Sequence, residues 1–233
     1  MHEVANNDLD DLTGTLTRSL HISKEEDAPL FLCDMGYGLP REERPRKERL
    51  NAIAKQLVNF LQWQDSSQNA PKVFVKVVAC PDPDALLSRL LEIWPHDALP
   101  DRVSVSERSL DTFVNNQAVY LSPDAPRALD PLKPPPRVMI VGMLIDRRVQ
   151  PNRSRLRAEK MELSLARWPT LDGWDPQEPF NVDCIMEGMQ QWHWNRNDGI
   201  GGFFEAAQQA VRHHCERHPQ RIQHIRSHSV LNQ

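Results

Sequence analysis

The chain has 233 residues, of which 39% are hydrophobic and 26% are charged, and its formal net charge is −4 at pH 7. This length and composition are typical of one large domain or two small ones with a packed core. The acidic balance argues against a protein that coats nucleic acid with its whole surface, although local basic patches stay compatible with phosphate binding. No apolar run approaches the roughly 18–20 residues that cross a bilayer, so we expect no membrane partner.

The four cysteines are widely spaced and form no Cys-x-x-Cys pair, which predicts a reducing compartment rather than a disulfide framework. The first residues are acidic, and they contain neither an apolar secretory segment nor an arginine-rich transit peptide. We therefore expect a mitochondrial location if a targeting peptide has been removed, and a cytoplasmic or nuclear one otherwise.

The first third of the chain predicts an arm followed by alternating strands and helices. Residues 1–28 are polar and acidic and predict a flexible arm. Residues 30–35 predict the first strand, and apolar residues at helical spacing predict an amphipathic helix over 46–62. The β-branched run 73–79 predicts a second strand, and Asp84 is expected to cap the helix that follows it.

The rest of the chain continues the alternation. Val138–Gly142 is continuously apolar, which is typical of a central parallel strand covered on both faces. The prolines at 134–136 exclude a helix and predict a stiff surface loop before that strand. Further strands are predicted at 102–106, 118–121 and 165–168, and further helical segments at 107–116, 154–163, 182–194 and 202–217.

This alternation predicts an α/β fold with a largely parallel sheet and flanking helices. We expect one domain over residues 29–218, followed by a polar tail at 219–233 that is rich in His and Arg.

Three of the predicted strands run into loops of small or polar residues, in segments 119–126, 138–146 and 165–169. Ligands of open α/β sheets bind beyond the carboxyl ends of the strands. The three strand ends therefore predict a ligand site. Among these three ends, Asp146 is the carboxylate that follows a buried strand.

The same three segments, in this order, resemble the SPOUT-class methyltransferases that modify N1 of the purine at nucleotide nine of tRNA. Residues 120–126 read Tyr-Leu-Ser-Pro-Asp-Ala-Pro and look like the family's Tyr-Leu-Thr-x-Asp-Ser-Pro segment. Residues 142–146 are similar to its Gly-Gly-Leu-Val-Asp segment, and residues 166–169 to its Ala-Arg-Leu-Pro segment. The interval from Asp146 to Pro169 matches the family spacing, and residues 181–183 resemble the entry to its last helices.

The resemblance implies a SPOUT-type domain whose C-terminal part is threaded as a trefoil knot, with S-adenosylmethionine as the cofactor and tRNA or another structured RNA as the partner. The family includes the methyltransferase subunit of mitochondrial ribonuclease P. Its catalytic domains are monomeric, and some work with further protein subunits of an RNA-processing complex. The alternative function is a weakly active or inactive SPOUT-fold subunit that binds RNA or assists assembly of an organellar RNA-processing or ribosome-assembly complex.

The resemblance also assigns site residues. Asp146 takes the place of the family's proposed general base, while a simple turn cap is the alternative. Trp168 replaces the usual Leu and is expected to stack on adenine, to block the pocket, or to pack in the core. Gly142 admits either a ligand or a tight turn. The cofactor-binding residues implied are Leu121, Ser122, Gly142, Met143, Trp168, Pro169, Asn181 and Val182.

Basic residues follow Asp146 and are interpreted as an RNA phosphate clamp, with a solvated helix face as the alternative. They are Arg147, Arg148, Arg153, Arg155, Arg157 and Lys160. His214 and His218 are four residues apart, but no third ligand is in register, so no metal is expected. The chain departs from the family in an acidic loop at 170–179, in Pro151-Asn152 where Lys-Gly is usual, and in lacking a basic N-terminal extension.

Overall fold

The computed structural model describes residues 29–67, 72–145, 150–169, 180–196 and 199–217. The strands are β1 (Leu30–Asp34), β2 (Phe74–Val78), β3 (Val103–Val105), β4 (Ala118–Leu121), β5 (Val138–Gly142) and β6 (Ser164–Ala166). The helices are α1 (Glu43–Ser66), α2 (Pro83–Ile93), α3 (Arg153–Lys160), α4 (Val182–Trp194) and α5 (Gly199–Arg217), with a 3-10 turn at Leu110–Thr112.

The described strands form one six-stranded sheet in the order β3-β2-β1-β5-β4-β6, and every neighbouring pair is parallel. The predicted α/β fold with a parallel sheet is therefore confirmed. The apolar strand β5 lies between β1 and β4, as its continuous hydrophobic run predicted. Since all strands point the same way, their carboxyl ends meet at one edge.

The two faces of the sheet are covered by different helices. Phe31 and Cys33 of β1 pack in the core cluster that includes α1, α2, α4 and α5. Leu32, between them in sequence, packs in the second cluster with Ala158 of α3 and Leu110 of the 3-10 turn. This alternation follows from the two-residue period of a strand. Asp34, Tyr120 and Gly142 therefore face the α3 side.

Local capping and turns differ from the expectation in three places. The N-cap of α2 is Asp82, whose side chain accepts the N–H of Ala85, rather than Asp84, because Pro83 takes the first helical position. The predicted helical stretch at 107–116 is reduced to the 3-10 turn, and α5 begins at Gly199 rather than 202.

The predicted N-terminal arm at 1–28 and the tail at 219–233 lie outside the described residues. Within the described ranges, no helix combines the length and apolar content needed to cross a bilayer.

Candidate active site at the carboxyl edge of the sheet

The three strands that carry the motifs end side by side. Leu121 at the end of β4 is in register with Val141 of β5 on one side and with Ala166 of β6 on the other. Beyond the ladder, the N–H of Ser122 donates to the carbonyl oxygen of Ala166 at 2.9 Å. The predicted meeting of these strand ends is confirmed.

The turn after β4 holds the start of α3. The buried hydroxyl of Ser122 lies 2.7 Å from the hydroxyl of Ser154 and accepts the N–H of Asp124 at 3.2 Å. The Asp124 carboxylate in turn accepts the N–H of Asn152 at 2.8 Å. Asn152 has a φ of 61°, a left-handed conformation that Asn tolerates better than most residues. The β4 turn and α3 are thus connected by side-chain bonds.

Four of the predicted cofactor residues lie on the ends of β4 and β5. Leu121, Ser122 and Met143 are buried, and Gly142 is the last residue of β5. A Cβ at Gly142 would lie 2.8 Å from the hydroxyl oxygen of Tyr37, so a larger residue here would require Tyr37 to shift.

Trp168 packs into the core rather than standing in open space. It is only 6% exposed, and its ring lies 5.9 Å from the ring of Phe203. Its benzene edge leaves no room for a side chain at Gly188, where an added Cβ would be 2.6 Å away. Its indole N–H is buried and has no hydrogen-bond partner in the part of the chain that the structure describes. Of the three interpretations, the packing supports the core role for the ring, because both its neighbours belong to helices.

Pro169 is partly buried one residue further on, and the last two predicted cofactor residues lie where α4 begins. Asn181 is the N-cap, and the N–H of Val182 donates to the side-chain oxygen of Gln56 in α1 at 2.8 Å.

Asp146, Arg147 and Arg148 lie outside the described residues, so the predicted base and two of the basic residues stay predictions. The structure describes both flanks of this segment: Ile145, partly buried, and Gln150, exposed.

A carboxylate that the sequence did not predict as a site residue lies at this edge. Asp34 ends β1, is fully buried, and pairs in register with Gly142. Together with Tyr37, Tyr120, Arg153 and Arg157 it forms a hydrogen-bonded group, here called the Asp34 cluster. The signal in the sequence was an apolar strand ending in Asp, the same pattern that drew attention to Asp146.

The Asp34 carboxylate accepts hydrogen bonds from four donors. Its Oδ1 accepts the N–H of Gly36 at 2.9 Å and a guanidinium N–H of Arg157 at 2.8 Å. Its Oδ2 accepts the Tyr120 hydroxyl at 2.9 Å and the Nε–H of Arg157. Since these donors occupy both oxygens, Asp34 is not available to accept a proton from a substrate.

The two tyrosines form an ordered chain of hydroxyls. Their oxygens are 2.5 Å apart, and Tyr120 directs its proton to Asp34, so Tyr37 must donate to Tyr120. Burial raises the pKa of Tyr37 to about 12 and that of Tyr120 well above its usual value, which keeps both protonated near neutral pH.

The basic residues of α3 have different surroundings. Arg157 pairs with Asp34, and its pKa is raised by that hydrogen bond, so its guanidinium is engaged in an internal ion pair, and its role as a phosphate ligand stays a prediction. Arg153 donates to the carbonyl oxygen of Tyr37 at 3.1 Å, so it is also directed inward. Arg155 pairs with Glu159 on the outer side of the helix at 2.7 Å, and Lys160 is exposed. Only the last two face solvent as a phosphate clamp requires.

A separate polar group lies between α1, α4 and α5. Cys184 Sγ is 3.2 Å from Nδ1 of His214, a thiol–imidazole pair that resembles a nucleophile and its base. Both side chains are fully buried, and burial raises the pKa of Cys184, which disfavours the nucleophilic thiolate. Among the described residues, no group of three or more His, Cys, Asp or Glu is placed to hold a metal ion.

Comparisons with known proteins find structural similarity without sequence similarity. No protein-family model matches the chain, and no curated protein matches it in sequence. A crystal structure of spTrm10(74) superposes with a TM-score of 0.56 at 16% identity, covering 77% of this chain and 94% of that one. Full-length spTrm10 in complex with SAH gives 0.54 at 18% identity, covering 77% and 93%. A dual specific Trm10 from Thermococcus kodakaraensis gives 0.51 at 13% identity, covering 76% and 99%.

These likenesses extend over nearly the full length of each Trm10 structure. The resemblance that three short segments predicted is confirmed at the level of the fold, and the chain has the α/β fold of the Trm10 proteins.

Proposed function

We propose that the protein transfers a methyl group from S-adenosylmethionine to N1 of a purine in tRNA, at nucleotide nine. The observation that carries the proposal is the convergence of β4, β5 and β6. The three segments that resemble the methyltransferase motifs end on these neighbouring strands, in a fold shared with Trm10 structures that include an SAH complex.

The residues at the strand ends suit an adenosine ligand. Leu121 and Met143 supply buried apolar surface at the edge, as small-molecule sites usually do. The ring of Trp168 supports the wall of this site from the core side. We expect Ser122, Gly142, Pro169, Asn181 and Val182 to complete the site. When bound, S-adenosylmethionine supplies an electrophilic methyl group.

The protein must align the purine N1 with the methyl group and, for guanine, remove one proton. Guanine N1 carries a proton at neutral pH, whereas adenine N1 has a free lone pair. We assign removal of that proton to Asp146, because the other strand-end aspartate, Asp34, is saturated by donors. A general base of this kind contributes about 10²–10⁴-fold to a rate.

RNA binding is proposed for Arg147, Arg148, Arg155 and Lys160, with a smaller part for the half-buried Arg153. We also expect the C-terminal part to be threaded as a trefoil knot. This expectation rests on the resemblance to the methyltransferase family and on the fold shared with the Trm10 structures.

The decisive experiment measures methyl transfer to two unmodified tRNA transcripts that differ only in guanine or adenine at nucleotide nine. We expect the wild-type protein to methylate at least one of them. Asp146→Asn should lower the single-turnover rate on guanine by about 10²–10⁴-fold and on adenine by much less, because only guanine must lose a proton. The control is Asp111→Asn at an exposed position of the 3-10 turn, which should leave both rates unchanged.

An equal loss on both purines would remove the proton-accepting role from Asp146. No transfer to either RNA, with no heat on calorimetric titration with S-adenosylhomocysteine, would favour the second candidate, a non-catalytic RNA-binding or assembly subunit. The inward pairing of Arg153 and Arg157 is the observation that favours that candidate, since it leaves less basic surface for RNA.

A further inference from the structure

We infer that the Asp34 cluster is a positioning device for two described ends of the proposed active site, the exit of β5 and the start of α3, with Asp34, Tyr37 and Arg157 as its positioning residues. The inference rests on the proposed function and goes further, because it assigns catalytic importance to a group on β1 that does not belong to the three motif segments. The Asp34 cluster holds both ends against β1.

The first end is the exit of β5. The N–H of Met143 donates to the backbone carbonyl of Asp34 at 2.9 Å, which continues the ladder past the end of both strands. An added Cβ at Gly142 would be 2.8 Å from Tyr37 Oη and 3.1 Å from Tyr120 Oη. The last residue of β5 is therefore packed closely against these two hydroxyls.

The second end is the start of α3. Arg157 reaches from the helix to Asp34 with two parallel donors, and an added Cβ at Gly36 would overlap its guanidinium. Arg153, one turn earlier, donates to the backbone of Tyr37. Both guanidinium groups also lie over the Tyr37 ring, with their central carbons 5.3 and 5.5 Å from its centroid. Helix α3 is thus held against β1 by two arginines.

The type of contact makes the cluster stiff. A bidentate arginine–carboxylate pair fixes orientation as well as distance, and a lysine at the same place would keep the charge but lose the fork. The carboxylate is fully buried, so water does not compete for its oxygens. Because the donors leave Asp34 no free oxygen, it acts on the reaction only through the groups that it holds.

A change in the cluster should therefore displace the reacting groups without removing any of them. A misplacement of about 1 Å costs up to about 10²-fold in rate. Arg157→Lys should lower the single-turnover methylation rate by about 10–100-fold and weaken S-adenosylhomocysteine binding several-fold, while the KM for tRNA stays within about twofold. Tyr37→Phe should also lower the methylation rate and S-adenosylhomocysteine binding, but by less, because it removes one hydroxyl and keeps the ring.

The matched control is Arg102→Lys. Arg102 is also largely buried and makes two side-chain bonds, to Gln64 at 2.9 Å and to Asp65 at 2.6 Å, but it precedes β3, at the opposite edge of the sheet. We expect it to lower Tm by a similar amount while leaving the rate per folded molecule and the S-adenosylhomocysteine affinity unchanged.

A double-mutant cycle tests the contact itself. Gly142→Ala should reduce both the rate and S-adenosylhomocysteine affinity, since its methyl group meets the Tyr37 hydroxyl. Adding Tyr37→Phe removes that oxygen and should restore part of both losses. The combined loss of the double variant should therefore be smaller than the sum of the two single losses. Two unrelated destabilising changes would give no such rescue.

The outcomes separate the two proposals. If the wild type methylates neither tRNA and does not bind S-adenosylhomocysteine, the proposed function fails and the positioning role fails with it. If the wild type is active while Arg157→Lys and Tyr37→Phe change only Tm, the proposed function stands and the positioning inference is overturned. A shift of tRNA KM with an unchanged rate would also overturn it, because that result would make Arg157 an RNA ligand.

Discussion

Trp168 and Gly188 form a pair in which a large residue requires a small one. The indole fills the space that a side chain on α4 would take, and Phe203 of α5 closes the other side. This packing connects the end of β6 to both C-terminal helices. The ring is therefore a structural support of the candidate site rather than an obstacle in it.

We predict that Gly188→Ala destabilises the protein by about 1–3 kcal/mol, because the added methyl group overpacks the core beside Trp168. Trp168→Leu alone should cost about 2–4 kcal/mol through the cavity that it leaves. The double variant should be more stable than the sum of the two losses predicts, since the smaller Leu makes room for the methyl group. Urea denaturation measures all three, and strictly additive losses would contradict the packing role.

The same Trp168→Leu variant should bind S-adenosylhomocysteine with nearly wild-type affinity, because its ring contacts helices and not the crevice. A loss of binding much greater than the loss of folded protein would assign the ring to the ligand instead.

At the level of elements, α4 joins α1 and α5 through polar contacts inside an otherwise apolar layer. Asp183 and Glu187, one turn apart on α4, are both buried. Arg217 of α5 donates to Asp183 at 3.2 Å and pairs with Glu187, and His213 lies 3.0 Å from the other oxygen of Glu187. Two buried carboxylates thus depend on one guanidinium.

Arg217→Met should destabilise the protein by about 3–5 kcal/mol, because it leaves buried carboxylates without their cation. Burial raises the pKa of Glu187, and Arg217 opposes that rise, so the variant's Glu187 pKa should be higher still. A carboxyl group whose folded pKa exceeds its unfolded value favours the native state at low pH, and this benefit is lost as pH rises through the folded pKa. The loss of unfolding free energy in Arg217→Met relative to wild type should therefore be larger at pH 7.5 than at pH 5.

Denaturation at those two pH values checks this, with Arg212→Met on the exposed side of the same helix as the control. A loss of unfolding free energy in Arg217→Met that is independent of pH would mean that Arg217 stabilises by packing alone.

A second element-level contact connects the Pro-rich loop to α4. Nε2 of His193 lies 2.7 Å from the carbonyl oxygen of Pro136, so the neutral ring donates its proton there. Burial lowers the pKa of His193 to about 4. The positive charges of Arg196 and Arg137 lower this pKa further, whereas the hydrogen bond to Pro136 raises it. The unfolded chain therefore binds a proton more readily than the native state between about pH 6.5 and pH 4.

Stability should fall as pH drops through that window, by up to about 3 kcal/mol from this group alone. His193→Gln keeps a donor but does not titrate, so its unfolding free energy should approach the wild-type value as the pH falls. The exposed His96→Gln serves as the comparison. Parallel pH profiles of wild type and His193→Gln would rule out this role.

For the whole molecule, the net charge of −4 and the inward pairing of Arg153 and Arg157 leave little basic surface for the RNA binding proposed above. Full phosphate contacts are proposed for four residues, Arg147, Arg148, Arg155 and Lys160, and Arg153 has a smaller part. Four contacts predict a slope of roughly −3 in a plot of log affinity for tRNA against log salt concentration. Lys160→Ala should reduce the slope by about 0.7–0.9, whereas Lys55→Ala on the exposed side of α1 should not change it. Fluorescence anisotropy across a salt series measures both, and a slope unaffected by Lys160 would place the RNA on another face.

How far the sequence predicted the fold depends on how local each signal is. Val138–Gly142 and Val182–Trp194 have the bounds that their hydrophobic patterns indicated, because a strand and an amphipathic helix each carry their own period. The cap of α2 was misplaced by two residues, since neighbouring aspartates offer equal side chains and only the backbone selects one.

The sequence by itself determined the alternation of strands and helices, the parallel sheet, and the three strand ends that resemble methyltransferase motifs. The tertiary structure alone decided that Asp34 holds Tyr120 and Arg157, which are 86 and 123 residues away, and that Trp168 faces Gly188. Periodicity reports how a segment presents its faces, but the partner of a buried charge or ring is set by strand order and helix packing. That information exists only when distant segments meet.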